Sequence, residues 1–251
     1  MKCLILAAGY ATRLYPLTES FPKPLLKVRE KSILDWLLDD LAESRAAEDY
    51  IVVSNHRFAP HFQRWADERP FPILVLDDGT DTNETRLGAV CDILFAIDKL
   101  HLDDDLLIAA GDNLLDFSLD VLLRYAREKK SSCFMRYFEA DEQRLRKCGV
   151  AQVAADDRLL SLEEKPSRPK SNWCIPPFYF YVREDVQKIR RAVIDGCGTD
   201  APGSLAAWMC RHCAVYSMEM PGRRYDIGDL ASYEAAQSSY PGIRGKGHER
   251  I

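Results

Sequence analysis

The chain has 251 residues, of which 47% are hydrophobic, and it carries a formal net charge of −5. Such a length buries enough surface for a sizeable core, and the acidic balance gives no electrostatic footprint for nucleic acid or an anionic membrane. No run approaches about 18 apolar residues, and the N-terminus lacks the features of a signal peptide. We therefore expect a cytoplasmic globular protein that binds neither nucleic acid nor membrane, and the sequence leaves a homo-oligomer open.

The eight cysteines are spread along the chain and do not cluster in loops. Cys210 and Cys213 alone have the spacing of a metal or redox pair, and no second pair of this kind follows. With Cys197 and His212 nearby a zinc ion stays an open alternative, but free thiols are the expected state.

The first predicted element is a buried strand from Cys3 to Ala7, which runs into a loop of small residues starting at Ala8 and Gly9. Small residues let backbone N–H groups approach an anion closely, and Arg13 and Lys23 add positive charge around the loop. The loop matches neither the G-x-G-x-x-G fingerprint nor a P-loop, which would end in G-K-[ST]. The segment therefore indicates local phosphate binding, and the alternative is an ordinary strand-to-loop joint with two solvated cations.

The same segment resembles the signature of sugar-1-phosphate nucleotidylyltransferases, G-x-G-T-R-x-x-P-x-T followed by P-K-P-L. The residues in register with this signature are Gly9, Thr12, Arg13, Pro16, Thr18, Pro22, Lys23, Pro24 and Leu25. Ala11 replaces the second glycine, so the backbone there either avoids a positive φ or is strained. The resemblance implies that Ala8 and Gly9 bind the nucleotide and that Arg13 and Lys23 are catalytic, stabilising the pyrophosphate.

Strands and helices alternate along the first half of the chain. The patterns predict strands at 50–54, 73–76 and 106–113, and helices at 32–41, 57–68, 87–100 and 118–129. Ser32 and Ser118 are the predicted caps of the first and last of these helices. Such alternation favours parallel strands joined by right-handed crossovers, with ligands at the carboxyl ends of the strands. We predict an α/β fold, a Rossmann-like three-layer α/β/α arrangement with a mostly parallel central mixed sheet.

The start of the helix predicted at 87–100 is a candidate nucleobase site. In the resembling family this region cradles the base, which implies a nucleotide-binding role for Gly88. The family's T-A-G-A continuation is replaced by Ala89, Val90 and Cys91, so the identity of the base stays open. The alternative is a small residue that allows close packing at a helix N-terminus.

Two aspartates far apart in the sequence are candidate metal ligands. Asp112 stands in a G-D-N string after the fourth predicted strand, and Asp226 stands in R-Y-D-I-G, which resembles the family's W-x-D-x-G-T. Mg²⁺ bridging nucleotide phosphates takes one or two protein carboxylates and several waters. The resemblance implies Mg²⁺ held by Asp112 and Asp226, with Asp112 also at the nucleotide, whereas ordinary turn chemistry is the alternative for both.

The second half carries a predicted hairpin at 149–154 and 159–163, so antiparallel strands join the parallel ones. The run S-L-E-E-K-P-S-R-P-K-S-N at 161–172 resembles glucose-1-phosphate thymidylyltransferases nearly letter for letter. The resemblance implies that Lys165 contacts the sugar phosphate, Glu164 a sugar hydroxyl and the Gly149 backbone the sugar ring. An aromatic strand predicted nearby has the composition of a buried strand, so we expect Lys165 to lie on a covered face of the sheet. The alternative is that this run is a charged, solvent-exposed edge of the sheet.

The acceptor pocket departs from the thymidylyltransferase pattern at two places. Pro176 and Pro177 stand where the family has a Thr-Gly that touches the sugar, which removes N–H donors. A helix predicted around 202–209 would present Trp208 as an aromatic wall, and such a wall suits a quaternary ammonium. Phosphocholine or another small phosphomonoester is therefore an alternative acceptor.

The four signatures together imply one nucleotidyltransferase domain over residues 1–251. We predict a nucleotide-binding half (1–130), an acceptor-binding half (131–240) and a polar tail (241–251) that is either disordered or a short segment on the surface. The implied reaction transfers NMP from an NTP to a sugar-1-phosphate and releases pyrophosphate. The alternatives are a cytidylyltransferase acting on phosphocholine or a similar phosphomonoester, and a nucleotide-binding regulatory protein with reduced turnover.

Overall fold

The expected alternation of strands and helices is present in the computed structural model, which describes residues 1–45 and 47–243. The strands are β1 (Lys2–Leu6), β2 (Lys27–Val28), β3 (Lys31–Ser32), β4 (Asp49–Ser54), β5 (Ile73–Asp77), β6 (Leu106–Ala110), β7 (Asn113–Leu115), β8 (Ser132–Phe138), β9 (Gly149–Val153), β10 (Leu159–Glu164), β11 (Trp173–Ile175), β12 (Phe178–Tyr181), β13 (Val215–Glu219) and β14 (Arg224–Asp226). The helices are α1 (Ile33–Glu43), α2 (Ala59–Asp67), α3 (Ala89–Leu100), α4 (Asp120–Lys129), α5 (Glu142–Leu145), α6 (Arg183–Val186), α7 (Ile189–Ile194), α8 (Pro202–His212) and α9 (Leu230–Ser239). The predicted tail lies outside the described residues from position 244 onward.

A ten-stranded mixed sheet forms the centre of the fold, in the order β10-β9-β11-β8-β12-β6-β1-β4-β5, with β13 paired to β8. β1 pairs in parallel with β4 and β6, and β4 pairs in parallel with β5. β12 runs antiparallel between β6 and β8, and the β9-β10 hairpin forms the far edge. The predicted mixed sheet is therefore confirmed, with its parallel block in the first half of the chain.

Helices cover both faces of this sheet because successive strand residues point to opposite sides. Cys3 and Ile5 belong to a core cluster that includes side chains of α1, α2 and α4. Leu4, between them, belongs to a second cluster with side chains of α3, α7 and α8. The two clusters give the predicted three-layer α/β/α arrangement.

The N-termini of α1 and α4 show where a serine in the sequence predicts a helix cap correctly and where it does not. Ser32 caps α1, and its Oγ accepts from the Asp35 N–H at 3.0 Å while Asp35 accepts from the Ser32 N–H. The serine cap predicted at Ser118 is wrong, because α4 begins at Asp120. Asp40 on α1 accepts from the Leu119 N–H at 2.8 Å, so a tertiary contact satisfies this helix end.

The longest described helix is α3, with 12 residues. Within the described ranges, no helix is both long enough and apolar enough to cross a bilayer.

Candidate active site

The carboxyl ends of the parallel strands β1 and β6 open into a cleft of about 440 Å³. A second chamber of about 210 Å³ adjoins it and shares the lining residues Leu6, Gly9, Arg86 and Ala110. The predicted site residues that line one or both chambers are Ala8, Gly9, Arg13, Lys23, Gly88 and Asp112. Gly149, Glu164, Lys165 and Asp226 are among the lining residues of neither chamber. The structure thus brings six of the ten predicted residues to one place.

The loop after β1 has a residue in the left-handed conformation, Ala11, at the position where the signature has its second glycine. Ala11 has φ 49° and ψ 42°, in the left-handed region, and it precedes a short 3-10 turn at Thr12–Leu14. Thr18 Oγ1 donates to the Ala11 carbonyl at 2.8 Å, which ties the loop together. The two alternatives left open for Ala11 are therefore resolved in favour of a strained backbone.

Lys23 and Asp112 form an ion pair in the large chamber. Lys23 Nζ donates to Asp112 Oδ2 at 2.6 Å and to the Ile227 carbonyl at 2.9 Å. Burial by itself raises the pKa of Asp112, but the charge of Lys23, its hydrogen bond and the charge of Arg224 hold the pKa below its ordinary value. Asp112 is therefore ionised, which suits a ligand for a cation.

Asp226 lies next to Asp112 because β14 pairs antiparallel with β7. Asp226 stands opposite Asn113 in this ladder, and the Ile227 N–H donates to the Asp112 carbonyl at 3.2 Å. Arg224 Nη1 donates to Asn113 Oδ1 at 2.6 Å and lies 3.5 Å from the Asp226 carboxylate. Two aspartates that are far apart in the sequence therefore lie on adjacent strands.

The donor set formed by Asp112 and Asp226 fits a hard cation such as Mg²⁺. Both residues offer carboxylate oxygens, and the Asp226 side chain is 53% exposed and thus accessible to a ligand. Within the described part of the chain, no group of three or more Asp, Glu, His or Cys side chains is arranged to hold a metal. Substrate phosphates and waters would therefore have to complete the coordination, as is usual for Mg²⁺.

Gly88 is required for packing at the place where the two halves of the chain meet. It has φ 90°, and a Cβ atom here would lie 2.6 Å from the Thr199 carbonyl oxygen. The first N–H groups of α3 are occupied: Ala89 donates to the Asp200 carbonyl and Val90 to the Thr199 carbonyl. Close packing at the helix N-terminus is thus present, and Gly88 also lines the smaller chamber.

The predicted acceptor residues meet at the end of the β9-β10 hairpin. Glu164 Oε2 lies 3.0 Å from where a Cβ on Gly149 would be and only 1.9 Å from where a Cβ on Gly203 would be. The Glu164 carboxylate is therefore seated on the first turn of α8. Burial raises the pKa of Glu164, although the positive charge of Lys165 acts in the opposite direction.

Two predictions about the acceptor half are wrong. Lys165 is exposed and has φ 49°, so the chain turns it away from the covered face that the nearby aromatic strand suggested. Trp208 is only 4% exposed and lies in the core with Leu205 and Met209. Its ring stacks on His212 with centroids 3.8 Å apart, so it does not form a wall of the site.

Two further residues in the smaller chamber were not identified from the sequence. Arg86 donates to Asp200 Oδ1 at 2.9 Å and to the Asn83 carbonyl at 2.7 Å. Asp92 on α3 is 6% exposed, and burial together with the negative charge of Asp78 raises its pKa to about 7. One sequence signal could have pointed to Asp92. It directly follows Ala89, Val90 and Cys91, the three positions at which the family's T-A-G-A continuation is replaced.

The chain is similar to known proteins in sequence and in fold. A family model described as nucleotidyl transferase matches residues 2–241. The UTP–glucose-1-phosphate uridylyltransferase of Haloferax volcanii is 29% identical over 182 residues, which cover 72% of each chain. The glucose-1-phosphate thymidylyltransferase of Mycolicibacterium smegmatis is 31% identical over 191 residues, which cover 72% of this chain and 61% of that enzyme. The structure of apo UDP-glucose pyrophosphorylase has a TM-score of 0.82 at 17% identity and covers 95% of this chain and 97% of that one.

The family match extends over nearly the whole chain, and the similarity of fold covers the same range. The resemblance first seen in the short signatures and the predicted fold class are both confirmed. This chain belongs to the nucleotidyl transferase family.

Proposed function

We propose that the chain transfers a nucleoside monophosphate from an NTP to a sugar-1-phosphate and releases pyrophosphate. The observation that supports this best is the convergence of Arg13, Lys23 and Asp112 on one cleft at the carboxyl ends of β1 and β6. Asp226 on the neighbouring strand β14 adds a second carboxylate. Two positive groups and one carboxylate in the cleft, with a second carboxylate on the neighbouring strand, suit a triphosphate bound together with a cation.

The reaction needs positioning and charge stabilisation more than covalent chemistry by the protein. An oxygen of the sugar phosphate forms a bond to the α-phosphorus while the bond from that phosphorus to the pyrophosphate oxygen breaks. Arg13 and Lys23 stabilise the negative charge that grows on the departing pyrophosphate. The ion pair with Asp112 keeps the Lys23 ammonium at the cleft.

Asp112 and Asp226 would hold Mg²⁺, which when bound neutralises charge on the phosphates. Arg224 helps to position this pair, because its guanidinium donates a hydrogen bond to Asn113 and lies 3.5 Å from the Asp226 carboxylate. Its charge also reduces the repulsion between the two carboxylates.

The acceptor is expected at the end of the β9-β10 hairpin. Lys165 is exposed there and can pair with a phosphate, while Glu164 can accept from a sugar hydroxyl and the backbone of Gly149 can contact the ring. The division into a nucleotide-binding half (1–130) and an acceptor-binding half (131–240) stays a prediction. Phosphocholine loses its support, because the aromatic wall expected from Trp208 is buried.

A pyrophosphate-release assay tests the proposal. Purified protein with Mg²⁺ is given ATP, GTP, CTP, UTP or dTTP, each with glucose-1-phosphate, mannose-1-phosphate, galactose-1-phosphate, N-acetylglucosamine-1-phosphate or phosphocholine. We expect release with at least one NTP and sugar-1-phosphate pair, abolished by EDTA. A folded protein that releases no pyrophosphate with any pair would contradict the proposal, and release with phosphocholine alone would replace the acceptor.

A further inference from the structure

The smaller chamber differs chemically from the large one. Most of its lining residues are apolar or glycine, including Leu6, Ala8, Ala89 and Pro202, and the charged ones are Arg86, Asp92 and Asp200, whereas the large chamber also contains Arg13 and Lys23. Arg86, the one basic side chain among the described residues that line it, is already paired with Asp200. Phosphates therefore favour the large chamber, and a flat ring favours the smaller one.

Asp92 is the one carboxylate of the smaller chamber that no described group pairs with. It is 94% buried, and its Oδ1 has no hydrogen-bond partner among the described residues. Neighbouring Asp78 is also negative and therefore cannot satisfy it. A buried carboxylate left in this way is costly unless donors reach it. A ligand that presents N–H groups would remove this cost.

The geometry of a carboxylate selects among the bases. An ionised carboxylate only accepts hydrogen bonds, and it does so best from two donors side by side. Guanine presents N1–H and the N2 amino group next to each other. Adenine and cytosine place a ring nitrogen acceptor beside their amino group, and uracil and thymine flank a single N–H with two carbonyl oxygens.

We propose that Asp92 reads the nucleobase and selects guanine. This inference rests on the proposed function, because it assumes that an NTP places its phosphates in the large chamber. Bases that bring an acceptor against Asp92 leave both groups unpaired in a buried site. Sites built on such a hydrogen bond discriminate strongly against the wrong ligand.

Binding of nucleotides without any acceptor tests the inference. Isothermal titration at pH 8, where the Asp92 carboxyl with its pKa of about 7 is mostly ionised, uses Mg²⁺ and GTP, ATP, CTP, UTP, dTTP or XTP and requires no knowledge of the sugar. We expect the wild-type protein to bind GTP at least about 10-fold more tightly than the other four common nucleotides. Asp92→Asn replaces one acceptor by a donor, so GTP should weaken about 10-fold or more and XTP, with N1–H beside a carbonyl, should strengthen.

Asp98→Asn is the matched control, because Asp98 lies on the same helix α3 but is exposed, is paired with Arg190 and is not among the lining residues of either chamber. This variant should keep the wild-type order of nucleotides, and circular dichroism confirms that both variants fold. The inference is overturned if wild type prefers another base, or if Asp92→Asn leaves the ratio of GTP to XTP unchanged. If Asp92→Asn shifts binding from GTP to XTP as expected but the wild-type protein releases no pyrophosphate, the proposed function is contradicted instead. If pyrophosphate is released but Asp92→Asn does not shift the nucleotide preference, only the role of Asp92 is contradicted.

Discussion

The first half of the chain (1–130) and the second half (131–240) both carry short family signatures, but different contacts position the side chains of the two sets. In the first half, Lys23 and Asp112 meet in a cleft at the ends of buried parallel strands. In the second half, Glu164 is held by a helix from elsewhere in the chain, through contact with Gly203. A signature at the end of a buried strand thus fixes where its side chains lie, whereas the acceptor signature depends on what packs against it.

The strongest test of the first half is Lys23→Ala. Removing one group that stabilises the developing charge should lower kcat by about 10²- to 10³-fold. The variant also leaves Asp112 without its ion-pair partner, so its melting temperature should fall, and kcat is compared below the unfolding transition of each protein. The control is Lys27→Ala, an exposed lysine on β2 four positions away. Wild-type turnover in the Lys23 variant, or an equal loss in both variants, would place the critical charge elsewhere.

The free energy of unfolding of the Asp92→Asn variant tests the region where the two halves of the chain meet. The pKa of about 7 in the folded protein exceeds the ordinary value of 3.8, so between these values the folded protein holds a proton that the unfolded chain has lost. Wild-type stability is therefore complete below about pH 4 and falls as the pH rises through 7. The Asn variant escapes this loss and should be more stable by about 2–4 kcal/mol at pH 8.

Urea denaturation at pH 8 and pH 5 checks this expectation, and the advantage of the variant should shrink at the lower pH. Asp200→Asn serves as the control, because an exposed ion pair contributes little to stability. An advantage of Asp92→Asn that is the same at both pH values would show that Asp92 is not the group that titrates.

The sequence predicted the parts of the molecule that depend on local patterns. The central strands, the Ser32 cap and the cleft containing Arg13, Lys23 and Asp112 follow from apolar runs, cap chemistry and the rule that ligands bind at strand ends. Asp226 was identified only through the family signature, since its pairing partner β7 is more than a hundred residues away.

The remaining errors come from tertiary contacts that no local pattern encodes. Trp208 was assigned to the site from its position on a helix, but the orientation of α8 against the sheet buries it. Asp92 in the first turn of α3 looks like an ordinary helix-dipole partner, and only the packing around it removes its solvent. The cap predicted at Ser118 was displaced for the same reason, by Asp40 from another helix.

Gly88→Ala tests the contact that joins the halves. A Cβ atom would meet the Thr199 backbone at 2.6 Å, and φ 90° is unfavourable for alanine, so we expect a loss of about 2–3 kcal/mol in the free energy of unfolding. Gly79→Ala is the matched control, because Gly79 has φ 78° with nothing within 4 Å of its Cβ position. The control should lose only about 1 kcal/mol, measured by the same denaturation curves. Equal losses of stability in the two variants would mean that the Thr199 backbone can move away from the added Cβ without lowering the free energy of unfolding.

The smallest effect is expected in the acceptor half, from Gly203→Ala. The added Cβ would lie 1.9 Å from Glu164 Oε2, and because that atom ends a flexible side chain it can move away without unfolding the protein. If Glu164 binds a sugar hydroxyl as proposed, displacing it removes that hydrogen bond, so the KM for the sugar-1-phosphate should rise about 10-fold while the KM for the NTP stays unchanged.

The double variant Gly203→Ala with Glu164→Ala separates this explanation from a general disturbance of α8. If Gly203 acts only through Glu164, the double variant should have the same acceptor KM as Glu164→Ala alone, because the two changes remove one interaction. A further rise in the double variant would mean that α8 itself contacts the sugar. An unchanged acceptor KM in Gly203→Ala would mean that Glu164 does not bind the acceptor, and the acceptor signature would then serve the fold of the hairpin rather than the reaction.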